Sequence, residues 1–260
     1  MNYELAIILF TLGLLVGMLL FLEIGRRLGE RRIKEDSGRV GEGIGVVDGA
    51  VFSLLGLLIA FTFFGASSRF DTRRQLVIDE TNAIGTAYRR LDLLPATLQP
   101  ALRDSFRRYL DSRLAIYRRL PDIRAAKEEL AKSNILQGDI WRLAVAASRG
   151  EGAPLATPIL LLPALNAMFD ITTTQTMATQ MHPPTVVFVM LFGLAFAASL
   201  LAGYGMTGSK VRSWFHMLAF ALVMAVAVYV ILDIEYPLLG LIRVNTFNQS
   251  LVDLRESMNR

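Results

Sequence analysis

Carboxylates set against long apolar runs are the groups in this sequence whose type and position can do chemistry. Asp48 opens one such run, and Asp233 and Glu235 close another. A charged carboxylate at membrane depth is costly, so it is normally paired or takes part in function. Two aspartates facing each other would point to an intramembrane aspartyl protease. The order of the runs separates them: Asp48 falls on the side of the short connections, Asp233 on the side of the long middle block, about a bilayer thickness away. They cannot share a proton. Asp233 and Glu235 fall instead on the side where Arg69, Arg73 and Arg74 leave the second run. Carboxylate–guanidinium pairs there would satisfy both charges, with an ion or ligand site as the alternative.

The remaining chemistry is sparse. The sequence has no cysteine, which excludes disulfides, thiolate metal sites and thiol nucleophiles. Its two histidines are His182 and His216, too few for a His-rich metal centre, and His216 beside Trp214 reads as an interfacial anchor. No Gly-x-Ser-x-Gly elbow and no phosphate-cradling glycine loop occurs. The expectation is a protein that is not an enzyme and holds no cofactor or metal.

The elements that must position these groups are four nearly uncharged runs, 5–22, 49–66, 185–206 and 214–232. An 18-residue helix reaches about 27 Å, close to a bilayer core. The chain is 53% hydrophobic yet 19% charged, and the charge lies almost wholly outside the four runs. The expected fold is all-α: a polytopic membrane protein with four transmembrane helices and an all-helical extramembrane domain inserted between helices 2 and 3. The division reads 1–66 as the first transmembrane pair, 67–183 as the helical domain, 184–236 as the second pair and 237–260 as a polar C-terminal tail. The first run lacks a preceding Lys or Arg and a small-x-small cleavage pattern, and reads as a retained signal anchor.

Nothing between Ser67 and Leu94 breaks a helix except Gly85, which is tolerated at modest cost. The second span is therefore expected to continue unbroken to about residue 94, with Phe70, Val77, Ile84, Ala87, Leu91 and Leu94 at helical spacing and Arg69, Arg73, Arg74, Arg89 and Arg90 on other faces. Leu98, Leu102, Phe106, Tyr109, Tyr117 and Leu120 mark an amphipathic helix between Pro95 and Pro121. Two more helices are expected, over about 122–147 and about 158–181. Pro158, Pro163 and Asn166 make the apolar run 153–169 a buried soluble helix rather than a fifth span.

Span two is the best candidate for function. Gly49, Ser53, Gly56, Ala60, Thr62 and Gly65 set small residues along it, and Phe61, Phe63 and Phe64 lie near its far end. Such a helix can line a pore with a hydrophobic constriction; equally, small residues permit tight packing while the aromatics meet lipid. Arg26, Arg27, Arg31, Arg32, Lys34, Arg39, Lys210 and Arg212 near the short loops slightly outnumber Arg69, Arg73, Arg74, Arg243 and Arg255 opposite. That small bias favours cytoplasmic short loops. The net charge of +4 is carried mostly by Arg near membrane ends, where it meets lipid phosphates. No nucleic-acid module accompanies it.

The stretch FSLLGLLIAFTFFGASSRFDTRRQLVIDETNAIGTAYRRLDLLP (52–95) resembles the bacterial bestrophin-like domain family of membrane proteins. ILDIEYPLLGLIRV (231–244) is similar to the Asp-x-x-x-Pro-x-x-Gly ending seen there. With the four-span layout, the resemblance covers nearly the whole chain. It implies a multi-pass protein of the cell (inner) membrane and, through the more distant bestrophin channels, a homo-oligomer passing inorganic anions. By that likeness Ser68-Arg69-Phe70 matches the segment beyond the channel neck, which puts Ser53, Leu57 and Phe61, with Phe64 beyond, at pore-lining spacing. Ser53 departs from the apolar neck, Phe70-Asp71 replaces paired tryptophans, and no acidic calcium clasp is present. The alternative is a non-conducting membrane scaffold or sensor whose helical domain binds a partner.

Overall fold

A computed structural model describes residues 3–35, 44–120, 122–150, 152–207, 214–236 and 248–259. Arg39, Lys210, Arg212 and Arg243, which bear on orientation, lie outside the described residues, as do Pro237 and the 237–244 part of the second family-like stretch. The described elements are all helical: α1 (Tyr3–Glu35), α2 (Ile44–Arg89), a 3₁₀ turn (Arg90–Leu93), α3 (Gln99–Arg119), α4 (Ile123–Ser148), α5 (Ala156–Gln180), α6 (Thr185–Gly205), α7 (Trp214–Glu235) and α8 (Gln249–Ser257). Four helical stretches are long and apolar enough to cross a membrane, carried by α1, the first half of α2, α6 and α7. The chain divides into two compact units, Met1–Ser68 with His182–Leu241, and Arg69–Met181 with Ile242–Arg260.

In the first unit α1 packs on both α6 and α7. The contact with α6 is a backbone approach made possible by glycine. A methyl group on Gly25 would stand 1.9 Å from the Leu200 carbonyl oxygen, and one on Gly203 would stand 2.0 Å from that of Leu22. Lipid tails give no hydrophobic drive for helices to associate, so close backbone packing of this kind supplies the attraction. Around it lie Leu14, Met18, Leu22, Leu191, Ala195 and Ala198, all buried. Phe21 stacks on Phe196 at 5.0 Å, and Phe52 of α2 meets Phe220 of α7 edge-on at 6.1 Å. Beyond its apolar stretch α1 continues on its own charges, with Glu23 pairing Arg26 and Arg27 at (i, i+3) and (i, i+4).

The second unit buries Val77, Ile84 and Ala87 of α2 and Leu91 of the 3₁₀ turn against Leu102, Phe106, Tyr109 and Leu110 of α3 and Leu161, Leu165 and Met168 of α5. The expected continuation of α2 holds: the α-helix is unbroken over 46 residues and the 3₁₀ turn carries it to Leu93. Asp122 caps α4, its side chain accepting from the Ala125 amide at 3.0 Å. Of the run 153–169, α5 takes Ala156 onward and buries Leu161, Ala164, Leu165 and Met168 in this core, while Leu155 and Ile159 stay exposed. Thr157 Oγ1 donates to the Leu93 carbonyl at 2.9 Å.

The C-terminal stretch, polar by composition, contains a docked helix. Leu251 and Met258 of this segment are buried, Thr81 and Ser250 share a hydroxyl hydrogen bond of 3.1 Å, and Arg255 makes a two-pronged pair with Asp111 at 2.8 and 3.1 Å. Two buried residues in a segment this short leave too faint a periodicity to show against its polar neighbours.

Candidate functional site

Along its membrane stretch, α2 buries little. Leu55 and Ala66 are enclosed, whereas Leu57, Phe61 and Phe64 are 51%, 65% and 72% exposed in the single chain, and Ser53 is exposed with them. These four residues recur at spacings of four, four and three, which places them along one side of a helix. The same side continues outward through Asp71, Gln75, Ile78 and Asn82, all exposed. A span that leaves Phe and Leu uncovered presents them to lipid, to a neighbouring copy or to a pore.

The arginines after this stretch have distinct surroundings. Arg73 lies one turn before the buried Val77 rather than on another face. It donates to the carbonyls of Ala178 and Met181 at 3.1 and 2.8 Å. Those are end-of-helix carbonyls of α5, which lack intrahelical donors and attract a cation. Arg74 is 3.7 Å from Asp71. Asp233 and Glu235, at the end of α7, are both buried. Glu235 Oε1 is 2.9 Å from His182 Nδ1, and the His182 ring stacks on Tyr236 at 4.5 Å. His182 carries no signal in the sequence beyond being one of two histidines, because its partner lies 53 residues away. Asp48, early in α2, has one carboxylate oxygen enclosed with no hydrogen-bond partner among the described residues.

The least expected group is in the second unit. Glu80 of α2 and Arg113 of α3 are 0% and 2% exposed. Arg113 Nε and Nη2 donate to Glu80 Oε1 and Oε2 at 2.6 and 3.2 Å, and Nη2 also donates to Gln175 Oε1 at 2.5 Å. Gln175 in turn donates to the Tyr117 hydroxyl. Thr172 Oγ1 reaches Glu80 Oε1 at 3.4 Å and the Tyr109 hydroxyl at 2.9 Å, while Gln137 of α4 donates to that hydroxyl at 3.1 Å. Burial by itself would lower the Arg113 pKa, but the Glu80 charge and hydrogen bond together with Tyr109 and Tyr117 outweigh it and the pKa is raised. Burial, with the Glu80 charge, pushes the Tyr117 hydroxyl up, so the phenol stays neutral. The network pairs both buried charges within the core. Among the described residues no group of His, Asp and Glu is placed to hold a metal ion.

A family model described as the Bestrophin-like domain matches residues 8–247, which takes in most of both units but not α8. The chain belongs to the bestrophin-like domain family. No curated protein and no solved structure matches it significantly. This bestrophin-like chain is thus a membrane protein by family and by its four apolar helices. Of its four apolar stretches, that of α2 is the least buried within the single chain.

Proposed function

We propose that this protein is a homo-oligomeric, non-enzymatic anion channel of the cell membrane, crossing it several times, with Ser53, Leu57, Phe61 and Phe64 of α2 lining the pore. One observation carries the reading: the aromatic and aliphatic side of a membrane helix is its uncovered side in the single chain. Copies arranged about an axis would turn that side inward, and a ring of Phe61 makes a dewetting constriction. Arg69, Arg73 and Arg74 follow within three turns, against Asp71 alone, and favour anions.

Reconstitution into liposomes tests this. Wild-type protein is expected to pass chloride or a comparable anion, and Phe61→Ala to pass it several-fold faster. Protein that is monomeric and passes no ion would overturn the reading in favour of a scaffold or sensor. The observation favouring that second reading is the apolar start of α5, where Leu155 and Ile159 are 92% and 71% exposed, a surface suited to a protein partner.

Pairing of Asp233 or Glu235 with Arg69, Arg73 or Arg74 belongs to the same proposal. Glu235 is bonded to His182, and Asp233, 3% exposed, is the acid tested. Asp233→Ala is expected to cost about 3–5 kcal/mol, as for a buried charge pair losing one partner. Asp104→Ala, at an exposed position, is expected to stay within about 0.5 kcal/mol. Thermal melting compares them, and double-mutant cycles showing no coupling of Asp233 to any of the three arginines would sink the pairing.

A further inference from the structure

We infer that the buried Glu80–Arg113 pair is a register key: it fixes how α2 is turned about its own axis, and so which side chains its membrane stretch presents. Glu80 and Arg113 are the acid and base of a fully enclosed network drawn from α2, α3 and α5. The rest of the buried side of α2 in that unit is Val77, Ile84 and Ala87, followed by Leu91 of the 3₁₀ turn. Aliphatic cores of this sort tolerate repacking at about constant volume, so they hold a rotation only loosely. A turn of α2 by one residue position, about 100°, would instead strand both buried charges. Polar groups enclosed in an apolar interface are best attested as devices of this kind, choosing one register among several.

The membrane stretch of α2 has only a narrow packed face of its own: between 49 and 66 Leu55 and Ala66 are buried, and Val51, Phe52, Leu58 and Ile59 are partly buried against the first unit's core. Yet α2 is one α-helix from Ile44 to Arg89, so a rotation fixed at Glu80 is carried along its length. At about 100° per residue, Ser53, Phe64, Asp71 and Asn82 fall within about 20° of the side opposite Glu80. Leu57 and Gln75 fall about 40° from that side and Phe61 about 80°, so the exposed stripe lies mostly, not wholly, opposite the key. The inference concerns the setting of α2 and goes beyond the channel reading; if α2 lines a pore, the pair decides which residues reach it.

The experiment uses the full chain in liposomes. Since the sequence has no cysteine, single cysteines placed in turn from 51 to 64 take a spin label without background. Accessibility to oxygen and to a nickel chelate then traces the helical period of α2. The pattern is compared between the parent and Glu80→Met/Arg113→Met, which replaces the pair by apolar groups of similar length. The double variant is expected to melt no lower than the parent, while the phase of its pattern moves by about one residue, about 100°, or smears out. A folded double variant with unchanged phase overturns the inference. So does a double variant that fails to fold, because the pair would then serve stability and not register. No ion flux enters either readout, so failure of the channel reading leaves this test intact.

Discussion

Glu80→Ala is expected to destabilise the protein by about 3–5 kcal/mol, enough to consume much of the stability of a typical domain. The substitution removes the carboxylate that accepts from Arg113 at 2.6 and 3.2 Å and leaves a guanidinium in a fully enclosed site. Gln175 remains, but an amide oxygen satisfies one donor and none of the charge. Water has no route to the rest without opening the packing of α2, α3 and α5. Asp111→Ala supplies the comparison, since it also breaks a two-pronged arginine pair, with Arg255. Asp111 is more than half exposed, and exposed pairs contribute about 0–1 kcal/mol. Melting in detergent, followed by loss of the monodisperse size-exclusion peak, separates the two. Equal melting of both variants would mean that water reaches Arg113.

The second large effect is expected at the crossing of α1 and α6. Gly203→Ala places a methyl group 2.0 Å from the Leu22 carbonyl oxygen and 2.9 Å from the Leu22 Cα. Both atoms are helix backbone, which cannot rotate aside as a side chain can, so the helices must separate. Overpacking ordinarily costs about 1–3 kcal/mol, and this contact belongs at the upper end because the whole crossing moves. Gly193, ten residues earlier on the same helix, has nothing within 4 Å of the corresponding position. Gly193→Ala is therefore expected to be neutral or to stabilise by up to about 1 kcal/mol through helix propensity. The contrast between two Gly→Ala changes on α6 removes composition and insertion as explanations. Similar behaviour of both variants in thermal melting would refute the close approach.

The spans and the long reach of α2 are legible in the sequence because each is a statement about one segment: apolar length for the spans, absence of Pro and a steady period for α2. Of Phe70, Val77, Ile84, Ala87, Leu91 and Leu94, which recur at helical spacing, all but the half-buried Phe70 are buried. What the sequence does not reveal is which segment meets which. The small residues of α6 announce tight packing, but nothing names Leu22 and Gly25 of α1 as the surface they meet. Glu80 shows the same limit more sharply. It stands three residues after Val77 and four before Ile84, in the middle of the buried register, and that placement is a usable signal. A single glutamate in a helix rich in charge still reads as solvated until a buried arginine is known to face it, and Arg113 is 33 residues away. Arg73 is misplaced for the same reason: its acceptors are the last carbonyls of a helix more than a hundred residues later. Of the candidate site, the spacing of Ser53, Leu57, Phe61 and Phe64 is readable from sequence, and their exposure is a property of the fold.

The docking of α8 has a consequence for how the protein is made. Leu251 and Met258 close a core whose other members, from Val77 to Met168, are synthesised much earlier. Between the two the ribosome produces α6 and α7, both long and apolar enough to cross a membrane. The Met258 carbonyl accepts from Arg107 and Tyr88 at 3.2 and 3.4 Å, so the last turns of the chain fasten onto its early helices. Pairing segments about 150 residues apart adds a slow, non-local step to folding. During synthesis the helical unit therefore waits, with the site for Leu251 open to chaperones or to neighbouring nascent chains, until membrane insertion is complete. Completion of this core therefore comes only after all four long apolar helices have been made.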